Sequence, residues 1–407
     1  MVAASSEVVV IDAVRTAFGR AGEKGIFWKT RADDLCIPLL KALFERNPKI
    51  KPNMIDDSIW GCTNQLKETG GTIGRMIPIL TLKQDGWEIP GVSVDRMCAG
   101  GLTAIGFGIS YIASGMADCI VAGGVEHMGH LPMGIMREPH PGAIEAMGDE
   151  TALNMGQTAE NIHDQFPEFA REMADAYAVN SQRKADEAIK TGKMKSMIIP
   201  LEVELEDGTN FIADKDQGPR PGTSMEGLSN LKTPFRAENG RVTPGNASGL
   251  NDGAGAVLLM SRKKALELGL KPLMRWVSTG VAAVDPRLMG IAPVPATKRA
   301  LERAGLTMKN LDIIELNEAF AVQCLYDLDR LGLKADDPRV NIWGGSLAYG
   351  HPLAASGPRL VAFLTGLFRE NPKARYGLTT MCVGRGQGYS IIWESLIGFG
   401  QLGNRIT

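Results

Sequence analysis

Cys98 follows the expected strand Val92–Asp95 and precedes Ala99-Gly-Gly101, so it stands at the start of a helix made of small residues. Free backbone N–H groups and the positive end of a helix dipole there favour a thiolate, and they supply donors for the oxyanion that forms when a thioester or ketone is attacked. His351 occupies a matching turn, Gly344-Gly-Ser-Leu-Ala-Tyr-Gly-His351, before another small-residue helix, and a Cys/His pair is a common means of activating a thiol. Cys382 lies in Cys382-Val-Gly-Arg-Gly-Gln-Gly388, where glycines let a backbone approach a ligand closely and a second thiol can shuttle a proton. Asn317, in Asn317-Glu-Ala-Phe320, ends an expected strand, where α/β sites gather polar groups, and its amide suits the orienting of a water. For His351 and Asn317 the competing account is a plain helix cap, and for any single one of the six cysteines it is packing in a core.

The elements that must position these residues alternate between short Val/Ile runs and helical patterns, an α/β signature. Strands are expected at Val8–Val14, Ile55–Gly61, Val92–Asp95, Asp118–Gly123 and Tyr376–Met381, and helices at Ala32–Glu45, Arg171–Thr191 and Ala319–Leu331. Three landmarks recur in order after about 255 positions, as an internal duplication predicts. Ile55–Gly61 is answered by Leu311–Asn317, Ala99–Gly108 by His351–Leu360, and Cys119–Gly124 by Thr380–Gly384. Residues 1–126 with 247–272 form one expected half and 273–407 the other, with 127–246 as an inserted lobe that ends in a polar loop through Arg220. Asn251–Met260 reads as a glycine turn feeding a strand that rejoins the first half.

Composition narrows the field. A net charge of -2 and a pI near 6.3 supply no basic field for a nucleic-acid backbone. The start, Met1–Glu7, lacks the basic and apolar regions of a secretory signal, and no apolar run reaches membrane-spanning length, so a cytoplasmic protein without a membrane span is expected. The cysteines are scattered, with no spacing for zinc, and no metal is expected. The glycine run after Cys382 lacks the helix and distal acid of a dinucleotide fingerprint.

Taken together these segments resemble the thiolase family nearly end to end. The likeness rests on Val10–Gly19, Val94–Cys98, Gly123–Met128, Gly245–Gly253, Asn317–Phe320, Gly350–Pro352 and Cys382–Gly384. The resemblance implies an α/β thiolase-like fold, two βαβαβαββ halves in a five-layered αβαβα core with an inserted loop domain. It implies Cys98 as the acylated nucleophile, His351 as its activator, Cys382 as general acid/base, and Asn317 holding a water that forms one oxyanion hole with His351. The N–H groups of Cys98 and Gly384 would form the other, while Ser248 and Arg220 resemble contacts to the coenzyme's pantetheine arm and nucleotide end. Coenzyme A enters as co-substrate, with no permanently bound cofactor. Gly124–His130 and Cys382–Gln387 are similar to degradative 3-ketoacyl-CoA thiolases of β-oxidation, acetyl-CoA C-acyltransferases, and Asn154 stands where biosynthetic acetoacetyl-CoA thiolases commonly carry a His. Family members are homodimers or homotetramers, and the degradative type implies a multifunctional hydratase/dehydrogenase partner. The alternatives are a biosynthetic acetoacetyl-CoA thiolase, a thiolase for aromatic or branched acyl groups, a decarboxylating condensing enzyme, and a non-catalytic acyl-CoA binder; Cys382 speaks against the third and the intact cysteines and histidine against the fourth. Ala99-Gly-Gly101, Trp343 and Ala354 depart from the usual residues, which places them in the neighbourhood of the acyl pocket. Methionines 128, 133, 136, 147 and 155 either line an acyl tunnel or fill core gaps.

Overall fold

The run Val8–Arg15 forms strand β1 and is buried at every position, as a strand enclosed on both faces must be. The structure, a computed structural model, describes residues 6–135 and 138–398; Met1–Ser5 of the chain start and Met136 lie outside them. After the short β2 (Gly19–Arg20), helix α1 (Ala32–Arg46) buries Leu35, Leu39 and Leu43 at helical spacing. Next come β3 (Asp57–Gly61), α2 (Ile73–Leu82), β4 (Gly91–Val94), α3 (Gly100–Ala113) and β5 (Cys119–His127).

The following stretch holds α4 (Pro141–Ala146), α5 (Met155–Gln165), α6 (Arg171–Lys190), a hairpin of β6 (Leu201–Glu204) and β7 (Asn210–Ala213), and α7 (Met225–Ser229). The hairpin corrects the expectation of a featureless polar loop. Its signal was present in the alternation Leu201-Glu-Val-Glu-Leu205 before the turn pair Asp207-Gly208. β8 (Asn251–Ser261) is strand throughout, its glycines included, and pairs antiparallel with both β1 and β5. The chain continues through α8 (Arg262–Glu267), β9 (Met274–Ala283), α9 (Pro293–Ala304), β10 (Ile313–Leu316), α10 (Ala321–Arg330), α11 (Ser346–Tyr349), α12 (Leu353–Glu370), β11 (Tyr376–Val383) and β12 (Gln387–Ser395).

Strand order exposes the repeat. One set runs β4-β3-β5-β8-β1 and the other β10-β11-β12-β9. In both, the pairings run parallel and then twice antiparallel from β3 or β10 onward, and Ile314 of β10 bridges in parallel to Val340 at the position β4 holds beside β3. The sets touch at Val9–Arg275 and Val10–Met274. Register also corrects one landmark: Asp57 pairs with Ile120 and its counterpart Ile313 with Gly377, so Cys119 is not equivalent to Thr380.

Helices α1 and α2 cover one set of strands and α9 the other, while α3 and α12 lie between them against each other. Their contact is close because it is made by small residues. A side chain at Gly357 would come within 2.5 Å of the Leu102 backbone nitrogen, and one at Gly101 would strike the Ala354 carbonyl. The α3/α12 contact thus brings the two turns carrying Cys98 and His351 to the same place.

Candidate active site

Cys98 lies in a single helical turn, Met97–Ala99, between the end of β4 and α3. Asp95 Oδ1 accepts the Met97 N–H at 2.6 Å, and Met97 takes φ 44°, a conformation unfavourable for a residue with a side chain. This turn packs against α12 and β11, the elements next to His351 and Cys382. The N–H groups of Gly384 and of Cys98 itself point at the thiol sulfur. Even so, burial pushes the thiol up to about 11, so the expectation that the helix start favours a thiolate is reversed. Removing the sulfur from water costs more than two N–H groups return.

His351 is buried, and burial, reinforced by the Arg359 charge, pulls its imidazole down to about 3. Its Nδ1 lies 2.6 Å from Ser356 Oγ, its backbone N–H donates to Asn251 Oδ1 at 3.2 Å, and its Nε2 is approached by Asn317 Nδ2 at 3.5 Å. Neither residue caps a helix: α12 is entered through Pro352 and α10 through Phe320, and the Asn317 carbonyl oxygen accepts from Ser346 Oγ at 2.7 Å. The free site therefore holds a neutral thiol and a neutral imidazole.

Cys382 is fully within β11, opposite Gly388, and the glycine turn begins after it. Burial is the main reason its thiol is pushed up, and the neighbouring Cys98 adds to the effect. A side chain at Gly384 would come 2.8 Å from Met97 Sδ and 3.4 Å from Met155 Sδ, so only glycine leaves its N–H free to face the sulfur without disturbing these methionines. Ser248 donates its N–H to Ala319 O at 2.9 Å, beside the Asn317 segment. Arg220 is exposed, with its N–H on Gln182 Oε1 at 2.9 Å, and takes no part in the contacts that gather the others. Of the methionines, Met155 adjoins Gly384, Met128 is core, and Met133 is exposed.

Several residues at the site have contacts that the sequence did not indicate. Glu126 accepts N–H bonds from Thr63, Asn64 and Ala354 at 3.1–3.4 Å, tying the strand ends near Cys98 to α12. Burial pushes its carboxyl up to about 7. Ala354 and Gly100 prove to be complementary, since a Cβ at 100 would lie 3.0 Å from that of Ala354. Trp343 packs on Phe363 and Gly366, which helical periodicity puts on the opposite face of α12 from Ala354. A cavity of about 250 Å³ opens beside the Cys98 turn, lined by Asp95, Met97, Glu138, Pro139 and Arg385. Among the described residues, Glu68, His127 and His130 are grouped closely enough to ligate a cation, but their ring nitrogens are already engaged by Phe27 O, Trp28 O, the His130 N–H and Glu68.

Comparison with known proteins bears on this arrangement. The family description "Thiolase, N-terminal domain" matches residues 8–263, and "Thiolase, C-terminal domain" matches 270–395. The chain is 43% identical over 388 residues to a 3-ketoacyl-CoA thiolase of Vibrio parahaemolyticus, covering 95% of this chain and 98% of that protein. It is 42% identical over 393 residues to one of Marinobacter nauticus, with 96% and 98% covered. The crystal structure of the Bacillus anthracis acetyl-CoA acetyltransferase superposes with a TM-score of 0.85 at 32% identity, covering 96% of this chain and 99% of that one. With two thiols and a histidine gathered between duplicated strand sets, and family matches along nearly its whole length, this chain belongs to the thiolase family.

Proposed function

We propose that the protein is an acetyl-CoA C-acyltransferase that cleaves 3-oxoacyl-CoA with coenzyme A, giving acetyl-CoA and an acyl-CoA shortened by two carbons. The observation that carries this reading is the direction of the Gly384 and Cys98 N–H groups toward the Cys98 sulfur, beside a second buried thiol. The Cys98 thiol attacks the C3 carbonyl while His351 Nε2 takes its proton. The C2–C3 bond then breaks, its electron pair passing to C2 as the enolate of acetyl-CoA, and the Cys382 thiol protonates that carbon. Coenzyme A next gives its thiol proton to the Cys382 thiolate and attacks the acyl-Cys98 thioester. Cys98 leaves as thiolate and recovers its proton from His351. The Asn317 amide holds a water that, with the His351 Nε2–H, stabilises one oxyanion, and the N–H groups of Cys98 and Gly384 stabilise the other. Splitting the transfer through a cysteine thioester keeps each step low in barrier.

Residues 1–126 with 247–272 and residues 273–407 are the two halves of this proposal, and 127–246 is the lobe that receives coenzyme A through Ser248 nearby and Arg220. Coenzyme A is a substrate rather than a resident cofactor. A degradative role in β-oxidation is supported by the likeness to 3-ketoacyl-CoA thiolases, and by Asn154, which stands in place of the biosynthetic type's usual His and caps α5 through the Gly156 and Gln157 N–H groups. A homo-oligomer is supported by β4, a half-buried edge strand flanked by exposed Met76, Leu80 and Trp87. No helix among the described residues is long and apolar enough to cross a membrane, and a cytoplasmic location is part of the proposal. Thiolysis rates across short, medium, long and aryl 3-oxoacyl-CoA test the assignment. Turnover of medium or long chains is expected; activity on acetoacetyl-CoA alone would make the enzyme the biosynthetic type, and activity confined to aryl substrates would redefine its acyl group.

A further inference from the structure

Arg359 is fully buried in α12, where an apolar side chain would cost far less. Its guanidinium lies 4.9 Å from the Phe363 ring centroid, and two of its nitrogens, Nε and Nη1, meet no acceptor among the described residues. The remaining nitrogen, Nη2, donates to Ser346 Oγ at 3.0 Å and reaches Asn317 Oδ1 at 3.4 Å. Ser346 Oγ in turn donates to Asn317 Oδ1 at 2.7 Å. A guanidinium has donors only, so it sets the direction of the whole chain. The Ser346 oxygen must accept from Arg359 and its hydrogen must go to Asn317, which requires the Asn317 atom at that end to be the carbonyl oxygen. The amide nitrogen is then turned toward His351 Nε2.

We propose that Arg359 is a positioning residue for the reaction, holding the Asn317 carboxamide through Ser346 so that its NH2 faces the His351 side of the site. Without the cation, the amide can rotate and present its oxygen there, where a donor to the oxyanion-holding water is needed. The acid on β10, Glu315, interacts with Arg359 through charge but, among the described residues, neither of its carboxyl oxygens makes a hydrogen bond, so it takes none of the Arg359 N–H groups away from this role. The inference rests on the thiolase reading of Cys98 and Asn317.

A double-mutant cycle tests it, with kcat and KM for thiolysis measured on Arg359→Met, Arg359→Lys, Ser346→Ala and Asn317→Ala, and with each Arg359 and Ser346 change repeated in the Asn317→Ala background. Arg359→Met is expected to lower kcat about 10²-fold with KM within about twofold, since misplacing one oxyanion contact acts on the transition state. Arg359→Lys, which keeps a donor and the charge, is expected to recover part of that loss. In the Asn317→Ala background, the further loss from Arg359→Met is expected to shrink to about threefold or less. An equal loss in both backgrounds, or a raised KM with kcat intact, would overturn the proposal. Should Arg359→Met not fold, the Ser346→Ala and Asn317→Ala cycle decides in the same way, additive losses counting against it. Acylation of wild-type Cys98 is followed in parallel: its absence defeats the thiolase reading, whereas acylation with additive losses defeats only the role of Arg359.

Discussion

Gly100 and Ala354 face each other where α3 meets α12, immediately behind Cys98 and His351, and Gly100→Ser should fail because of that one contact. A Cβ added at 100 would stand 3.0 Å from the Ala354 methyl. Carbon atoms are at rest about 3.5–4.0 Å apart, so the helices must separate by roughly 0.5–1 Å or the side chains must strain. Overpacking of this kind costs about 1–3 kcal/mol. Ala354→Gly alone loses a buried methyl, about 0.8 kcal/mol, and adds the helix-interior glycine cost of about 0.5–1 kcal/mol. The two together relieve the clash, so the pair should cost about 1–2 kcal/mol instead of the 2–5 kcal/mol obtained by addition. With about 2.1 cal/mol/K of unfolding entropy per residue over 407 residues, each kcal/mol corresponds to about 1 °C in Tm. Calorimetry should therefore show Gly100→Ser lowered by about 1–3 °C and the double variant by about 1–2 °C, instead of the roughly 2–5 °C that addition would give. Thiolysis should fall about 10²-fold in Gly100→Ser, because the turn moves Cys98 relative to His351, and return in the double variant. Strictly additive losses in both Tm and rate would refute the claim that these two departures compensate each other.

Alkylation of Cys98 in the free enzyme should accelerate about tenfold per pH unit from pH 7 to 10, because burial holds the thiol up to about 11 and His351 down to about 3. A rate already level at pH 7 would reveal a preformed thiolate–imidazolium pair. Glu126 carries a carboxyl raised from 4.5 to about 7 by burial, so its contribution to stability is complete below pH 4.5 and declines as pH rises to about 7. Relative to Glu126→Gln, the wild type should thus lose ground between pH 4.5 and 7 in denaturation experiments and then hold level; a gap that does not change with pH would contradict this. Ser356→Ala removes the 2.6 Å contact to His351 Nδ1 and should lower kcat about 10–10²-fold with KM little changed; an unaltered kcat would show that the imidazole is oriented by packing alone.

The duplicated strand pattern was legible in the sequence because its landmarks recur at a near-constant offset, and strands such as Val8–Arg15 show as valine- and isoleucine-rich segments. The third landmark slipped because β5 and β11 share only scattered cysteine, valine and glycine positions, and only the ladder with β3 and β10 sets their register. Cys98, His351 and Cys382 stood out as candidates through placement at turns and in glycine runs. Ser346, Ser356, Arg359 and Asn251 were not, since each acts through a contact made only after distant segments meet. The state of the thiol was misjudged for a related reason: a helix start is visible in sequence, whereas the depth at which it is buried is not. Trp343 drew attention by its unusual type, but its neighbours Phe363 and Gly366 are set by the face of α12 it meets.

The central claim is that Cys98 carries the acyl group. Mass spectrometry of the protein after brief incubation with a 3-oxoacyl-CoA, without added coenzyme A, tests it directly. The account predicts an acyl group, two carbons shorter than the substrate, on the peptide containing Cys98, lost on adding coenzyme A and absent from Cys98→Ala. An unmodified Cys98 with every chain length offered, or thiolysis surviving in Cys98→Ala, would contradict it.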